Sequence, residues 1–277
     1  MKLYDFDGMF DLKLSEYIRK NPDRYTESEW EDLIPKFYES FGDTYIKSVG
    51  DTPNGFYSKL SDKELVSALS AHLKKNVPVS KFLRNAIERA DAVELLTPLL
   101  DGGNAEKEYA VNLIGANDGV LKKYLSMLVS PDCGEELRNI LSEILKEKAD
   151  IVADEASDYY ERGVERELML EILARSVIRN DKIFDILIKE FKSNPEKVSA
   201  NANLLARYGD ERALKYLLEK IDEEDVSYLE YKELLLAIES LGGTYERERD
   251  FSDDPYYELL KCRDYPAKDI FVPSDKK

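Results

Sequence analysis

Apolar residues return every three or four positions along most of this chain, the spacing that places side chains on one face of a helix. From Ser61 onward such stretches of roughly 10–16 residues succeed one another, separated by short runs of Asn, Asp, Gly and Pro. Leu65, Leu69 and Leu73 form the first stripe, and Ser61-Asp62-Lys63-Glu64 ahead of it has the pattern of a reciprocal N-terminal cap. No segment shows the Val/Ile/Thr alternation of a sheet strand, and the one strand-like piece, Ile270-Phe271-Val272, is too short to found a sheet. The pattern predicts an all-α protein.

Residues 1–60 differ from the rest of the chain. They hold 12 of the 29 aromatic side chains. Thr26-Glu27-Ser28-Glu29 is a second capping box, and the helix it opens carries Trp30, Leu33, Ile34, Phe37, Tyr38 and Phe41 on one stripe. Pro35 is expected to kink that helix or to start a new turn. Asp51-Thr52-Pro53-Asn54-Gly55 reads as a turn. The aromatics are expected to form a small helical core, with an exposed docking patch as the sharper alternative.

The central stretch repeats itself. In Leu205-Ala206-Arg207-Tyr208-Gly209-Asp210, one helix ends at the leucine and Gly209 makes the left-handed turn. Asp210 then caps the next helix, whose stripe is Ala213, Leu214, Leu217, Leu218 and Ile221. A second junction runs from Val93 through Asp101, Gly102-Gly103 and Ala110 to Ile114-Gly115. Apolar anchors at Ile114, Ile144, Leu173, Leu205 and Ile238 are separated by 30, 29, 32 and 33 residues, as expected of helical repeats. An earlier pair at 61–75 and 78–89 reads as one more repeat.

These junctions resemble those of HEAT-like repeats of the phycobilisome-lyase type. Asp101 stands at the family's inter-helix Asp, Lys107 at its Arg, Ala110 at its Ala and Ile114-Gly115 at its terminal pair. Glu106 replaces the usual Val. The resemblance covers 61–243 and implies an α-α superhelix, a HEAT/ARM-like solenoid. Residues 1–60 are then an aromatic-rich helical N-terminal cap and residues 244–277 a C-terminal capping tail. Phe251, Tyr256, Tyr257, Leu259, Leu260, Tyr265 and Phe271 of that tail are expected to pack back on the last repeat.

Charge narrows the partners. Forty Lys and Arg against 57 Asp and Glu give a net charge of −17, which repels phosphate backbones and argues against nucleic acid. Cys133 and Cys262 lie far apart with no CxxC pattern, as in a reducing cytoplasm. The N-terminus lacks a signal-peptide apolar stretch, and no run reaches the ~18 apolar residues of a membrane span. The expectation is a cytoplasmic protein with no membrane association.

Chemistry is sparse. The single histidine, His72, lies inside a helix without HxxxH or HxxE spacing, so neither a metal nor a cofactor is expected. Asp154-Glu155 with Asp158, and Asp222-Glu223-Glu224-Asp225, lack a calcium loop's glycine and spacing. No P-loop, GxGxxG or GxSxG occurs. The expected function is a non-catalytic protein-interaction scaffold rather than an enzyme. The alternative that the resemblance implies is a lyase-related enzyme or a chromophore- or small-molecule-handling protein.

The resemblance also implies that the second helix of each pair lines a concave face. Six positions before the anchors stand Glu108, Glu167, Ser199 and Lys232; two before stand Asn112, Glu171, Asn203 and Leu236. Each pair is four apart and shares a helix face, and seven of the eight are polar. That stripe is the candidate surface for a protein partner.

Overall fold

The computed structural model describes residues 2–261 apart from 23 and 91. Among them the only regular secondary structure is helical, with one isolated bridge between Ile46 and Asp51. The expected strand-like piece at 270–272, with Cys262, Tyr265 and Phe271, lies outside the described residues. No described helix is long and apolar enough to cross a membrane. The chain divides into two compact units, residues 1–120 with 132–141 and residues 121–131 with 142–277.

The first unit contains α1 (Phe6–Lys20), α2 (Glu27–Phe41), α3 (Pro53–Ser58), α4 (Asp62–Lys74), α5 (Lys81–Arg89), α6 (Val93–Leu96) and, after a 3-10 turn over Thr97–Asp101, α7 (Asn104–Ile114). Its core is aromatic. Phe6 is fully buried, with Phe56, Tyr57 and Phe82 edge-on around it, and Tyr38 stacks flat on Phe82 at 4.8 Å. The aromatic segment therefore packs directly on α5. His72 is buried on α4 and its Nδ1 sits 2.8 Å from the Pro78 carbonyl, so it serves the core.

α2 continues through Pro35 as one helix; the proline frees the Glu31 carbonyl, and Glu31 is exposed to water. The expected turn at 51–55 instead starts α3. Thr52 Oγ1 accepts from the Gly55 N–H at 2.9 Å, and Pro53 occupies the first turn, where its missing N–H costs nothing.

The second unit begins with α8 (Leu121–Leu128). α9 (Glu135–Glu147) belongs to this unit from Ser142 onward. Then come α10 (Ala149–Glu161), α11 (Arg166–Leu173), α12 (Asp181–Ser193), α13 (Val198–Tyr208), α14 (Leu214–Ile221), α15 (Tyr228–Ser240) and α16 (Pro255–Lys261). α10 packs on α11, α12 on α13 and α14 on α15; α11 also packs on α13, and α13 on α15. Side-chain links tie helices of this unit across the sequence: Glu167 to Lys197, Tyr160 to Glu190, Arg179 to the Gly209 carbonyl and Asn203 to Glu233 each join residues 30 apart, and Arg212 reaches Asp181.

The anchors Leu173, Leu205 and Ile238 are buried in this stack, and Ile114 is buried in the first unit. Ile144 is not: it is half-exposed, and its neighbour Leu145 is fully buried with Leu141 one turn before it. The register of α9 is shifted by one residue. Gly209 takes the left-handed conformation at φ +72°, as its junction requires, and Asp210 accepts from the Arg212 N–H at 3.0 Å. Phe251 of the tail is buried against Tyr228 and Tyr231 of α15, and Asp254 caps α15 through the Tyr228 N–H at 2.8 Å. Tyr256 and Leu259 depart from the expectation: they are 56% and 63% exposed.

Candidate functional site

A groove of about 900 Å³ runs between α11, the end of α12 and α13. Its apolar floor is Leu170, Ala200 and Leu204. It meets a smaller hollow of about 250 Å³ across the shared residues Glu171 and Leu204. The smaller hollow continues past Asn203 to Lys146, Arg175 and Arg207.

One end of the groove is built on a buried polar node. Glu190 lies on the apolar stripe of α12, between Leu187 and Phe191, and its side chain is 10% exposed. A carboxylate there must be fully bonded to tolerate burial. The Tyr160 hydroxyl and the Arg166 guanidinium both donate to Glu190 Oε1, and the Asn194 amide donates to Oε2. Arg166 also donates to the Tyr160 hydroxyl at 2.8 Å, and the buried Asn201 amide donates to the Glu190 carbonyl at 3.2 Å. Burial, reinforced by the adjacent Glu190 carboxylate, pushes the Tyr160 hydroxyl up to about 12. The node locks α10, α11, α12 and α13 together at the groove's end. Nothing in it is exposed as a nucleophile.

The walls are charged. Six cations border the two hollows: Lys146, Arg166, Arg175, Lys189, Lys197 and Arg207. Three carboxylates, Glu167, Glu171 and Glu190, face them. Lys197 pairs with Glu167 and holds its carboxyl below the ordinary range. Lys146 pairs with Glu171 at 2.7 Å and Glu143 at 3.3 Å. Arg175, Lys189 and Arg207 are exposed and form no ion pair with a described residue.

The residues of the stripe expected from the sequence fall in both units. Glu108 and Asn112 lie on α7 in the first unit, where the Asn112 amide donates to the Glu108 carbonyl of its own helix at 2.9 Å. Glu167, Glu171 and Asn203 come together at the groove. Ser199 is half-buried on α13 outside the lining; Lys232 and Leu236 are exposed on α15, also outside it. The expected stripe omits the cations, yet they carry a signal. Lys146, Arg175 and Arg207 each stand two residues after an anchor, at Ile144, Leu173 and Leu205. Glu190 carries one too, as a carboxylate in register with Ile183, Ile186 and Leu187.

No cluster of three or more His, Cys, Asp and Glu side chains suited to a metal occurs among the described residues. No family model, curated protein or solved structure matches the chain.

Proposed function

We propose that this chain is a non-catalytic protein-interaction scaffold of the cytoplasm. In this reading, stacked helix pairs of the HEAT-like kind form a solenoid whose second helices offer a groove to a partner segment. The observation that carries it is the pair of adjoining hollows along α11 and α13, with Glu167, Glu171 and Asn203 on their border. A hollow of this size accommodates a few side chains of an extended segment. Its carboxylates are each held by a cation, Glu167 by Lys197, Glu171 by Lys146 and Glu190 by Arg166, rather than aimed at a common reacting atom, which suits recognition better than catalysis.

The reading is tested with peptides selected from a random display library. A photocrosslinking residue is placed at Asn203 in the groove or at exposed Asp185 on α12. Selected peptides are expected to crosslink through position 203. Crosslinks through 185 alone, or a library that yields no binder, would overturn it.

A further inference from the structure

The walls of the groove run against the charge of the whole chain. A net charge of −17 predicts an acidic surface, yet six cations and three carboxylates border the two joined hollows. One of those carboxylates, Glu190, is withdrawn into the buried node and paired with Arg166. Glu167 and Glu171 are each occupied by a lysine. The lining cations without an ion pair are Arg175 just past α11, Lys189 on α12 and Arg207 on α13, all exposed, against one further carboxylate, Glu233, which accepts from Asn203 at 2.9 Å.

Unpaired cations beside a low-dielectric apolar floor concentrate positive potential in the hollow. The arrangement recurs, since Arg175 and Arg207 each stand two residues after a buried leucine, Leu173 and Leu205, and line one hollow with Lys146. Guanidinium groups suit planar carboxylates through paired N–H donors, more than they suit a point anion.

We propose that the groove receives an acidic, extended segment of a partner protein, with its Asp and Glu side chains on Arg175, Arg207 and Lys189 and an aliphatic side chain on Leu170 and Leu204. This rests on the scaffold reading and adds the chemistry of the occupant. A polyphosphate chain is the poorer fit. Its charges would lie beside Glu167 and Glu171 on the rim, and the strongly acidic body would repel its length. A peptide carries carboxylates only at intervals and supplies the aliphatic contact that the floor offers.

The test uses the full chain and a fluorescein-labelled peptide alternating Glu and Asp with Leu, beside its Gln/Asn counterpart and a single-stranded oligonucleotide. Fluorescence anisotropy is read at low and physiological salt. The acidic peptide is expected to bind, to weaken as salt rises and to bind about tenfold more weakly to R175E/R207E. R175Q/R207Q is expected to fall between, and K215E, on exposed α14, to match the wild type. Far-UV circular dichroism confirms that each variant is folded. Equal binding of the acidic and neutral peptides, an undiminished affinity in folded R175E/R207E, or tighter binding of the oligonucleotide would overturn the proposal. Equal peptide binding with crosslinks through position 203 would sink only the acidic occupant. Binding that crosslinks through 185 and ignores the arginine changes would sink the groove as well.

Discussion

Replacing Glu190 with leucine removes the carboxylate on which three donors converge, and the structure sets what each donor loses. The Arg166 side chain is 48% exposed and rehydrates at little cost. Asn194 is half-exposed and keeps its second bond, to the Glu190 carbonyl at 3.3 Å. Tyr160 is buried at 2% exposure, so its hydroxyl proton has no replacement acceptor. An orphaned buried donor costs about 1–3 kcal/mol, partly offset by no longer burying a carboxylate. Glu190→Leu should therefore lose ~2 kcal/mol in urea unfolding monitored by circular dichroism, read from the midpoint at constant slope. Tyr160→Phe alone should lose ~1 kcal/mol. The double variant should lose about 1 kcal/mol less than the sum, because phenylalanine leaves no orphan. Losses that add to within about 0.5 kcal/mol would refute the buried Tyr160–Glu190 bond.

The same geometry sets three further outcomes. Gly209→Val should cost ~1–3 kcal/mol, since φ is +72° and a Cβ would sit 3.1 Å from the Arg179 guanidinium; an unchanged melting temperature would remove the need for a left-handed turn there. Leu145→Ala should cost ~2–4 kcal/mol and Ile144→Ala about 1 kcal/mol, because only Leu145 is fully buried; the reverse order would restore the register read from sequence. Burial pushes Tyr57 and Tyr160 up to about 12, and raises Tyr38 and Tyr124 as well. The folded state thus holds these protons more tightly than the unfolded one. Their stabilisation is complete below pH 10 and is lost as pH rises through about 12, so melting temperature should fall across that window; a flat profile there would contradict it.

Helices and caps are legible in the sequence because their causes are local. Thr26 with Glu29, and Gly209 with Asp210, satisfy backbone groups within a few residues. The α9 anchor is not legible, because Ile144 and Leu145 are adjacent and equally apolar, and only packing tells them apart. The stripe is half legible. Counting back from the anchors reaches Glu167, Glu171 and Asn203, but Arg175 and Arg207 stand on the other side of each anchor and escape it. Glu190 is hidden by an acidic composition in which no single carboxylate stands out, although its place on an apolar stripe marks it. The exposure of Tyr256 and Leu259 has no sequence signal, since an apolar tail residue looks the same whether it packs or not.

The most direct test of the groove is a methyl NMR titration of the full chain with a library-selected peptide. Leu170 and Leu204 report on the groove floor, while Val177 and Ile178, 77% and 59% exposed in the loop between α11 and α12, report on the strongest rival apolar surface. The account predicts saturable shifts at Leu170 and Leu204 with Val177 and Ile178 unmoved. Shifts confined to Val177 and Ile178, with the floor silent, would contradict it.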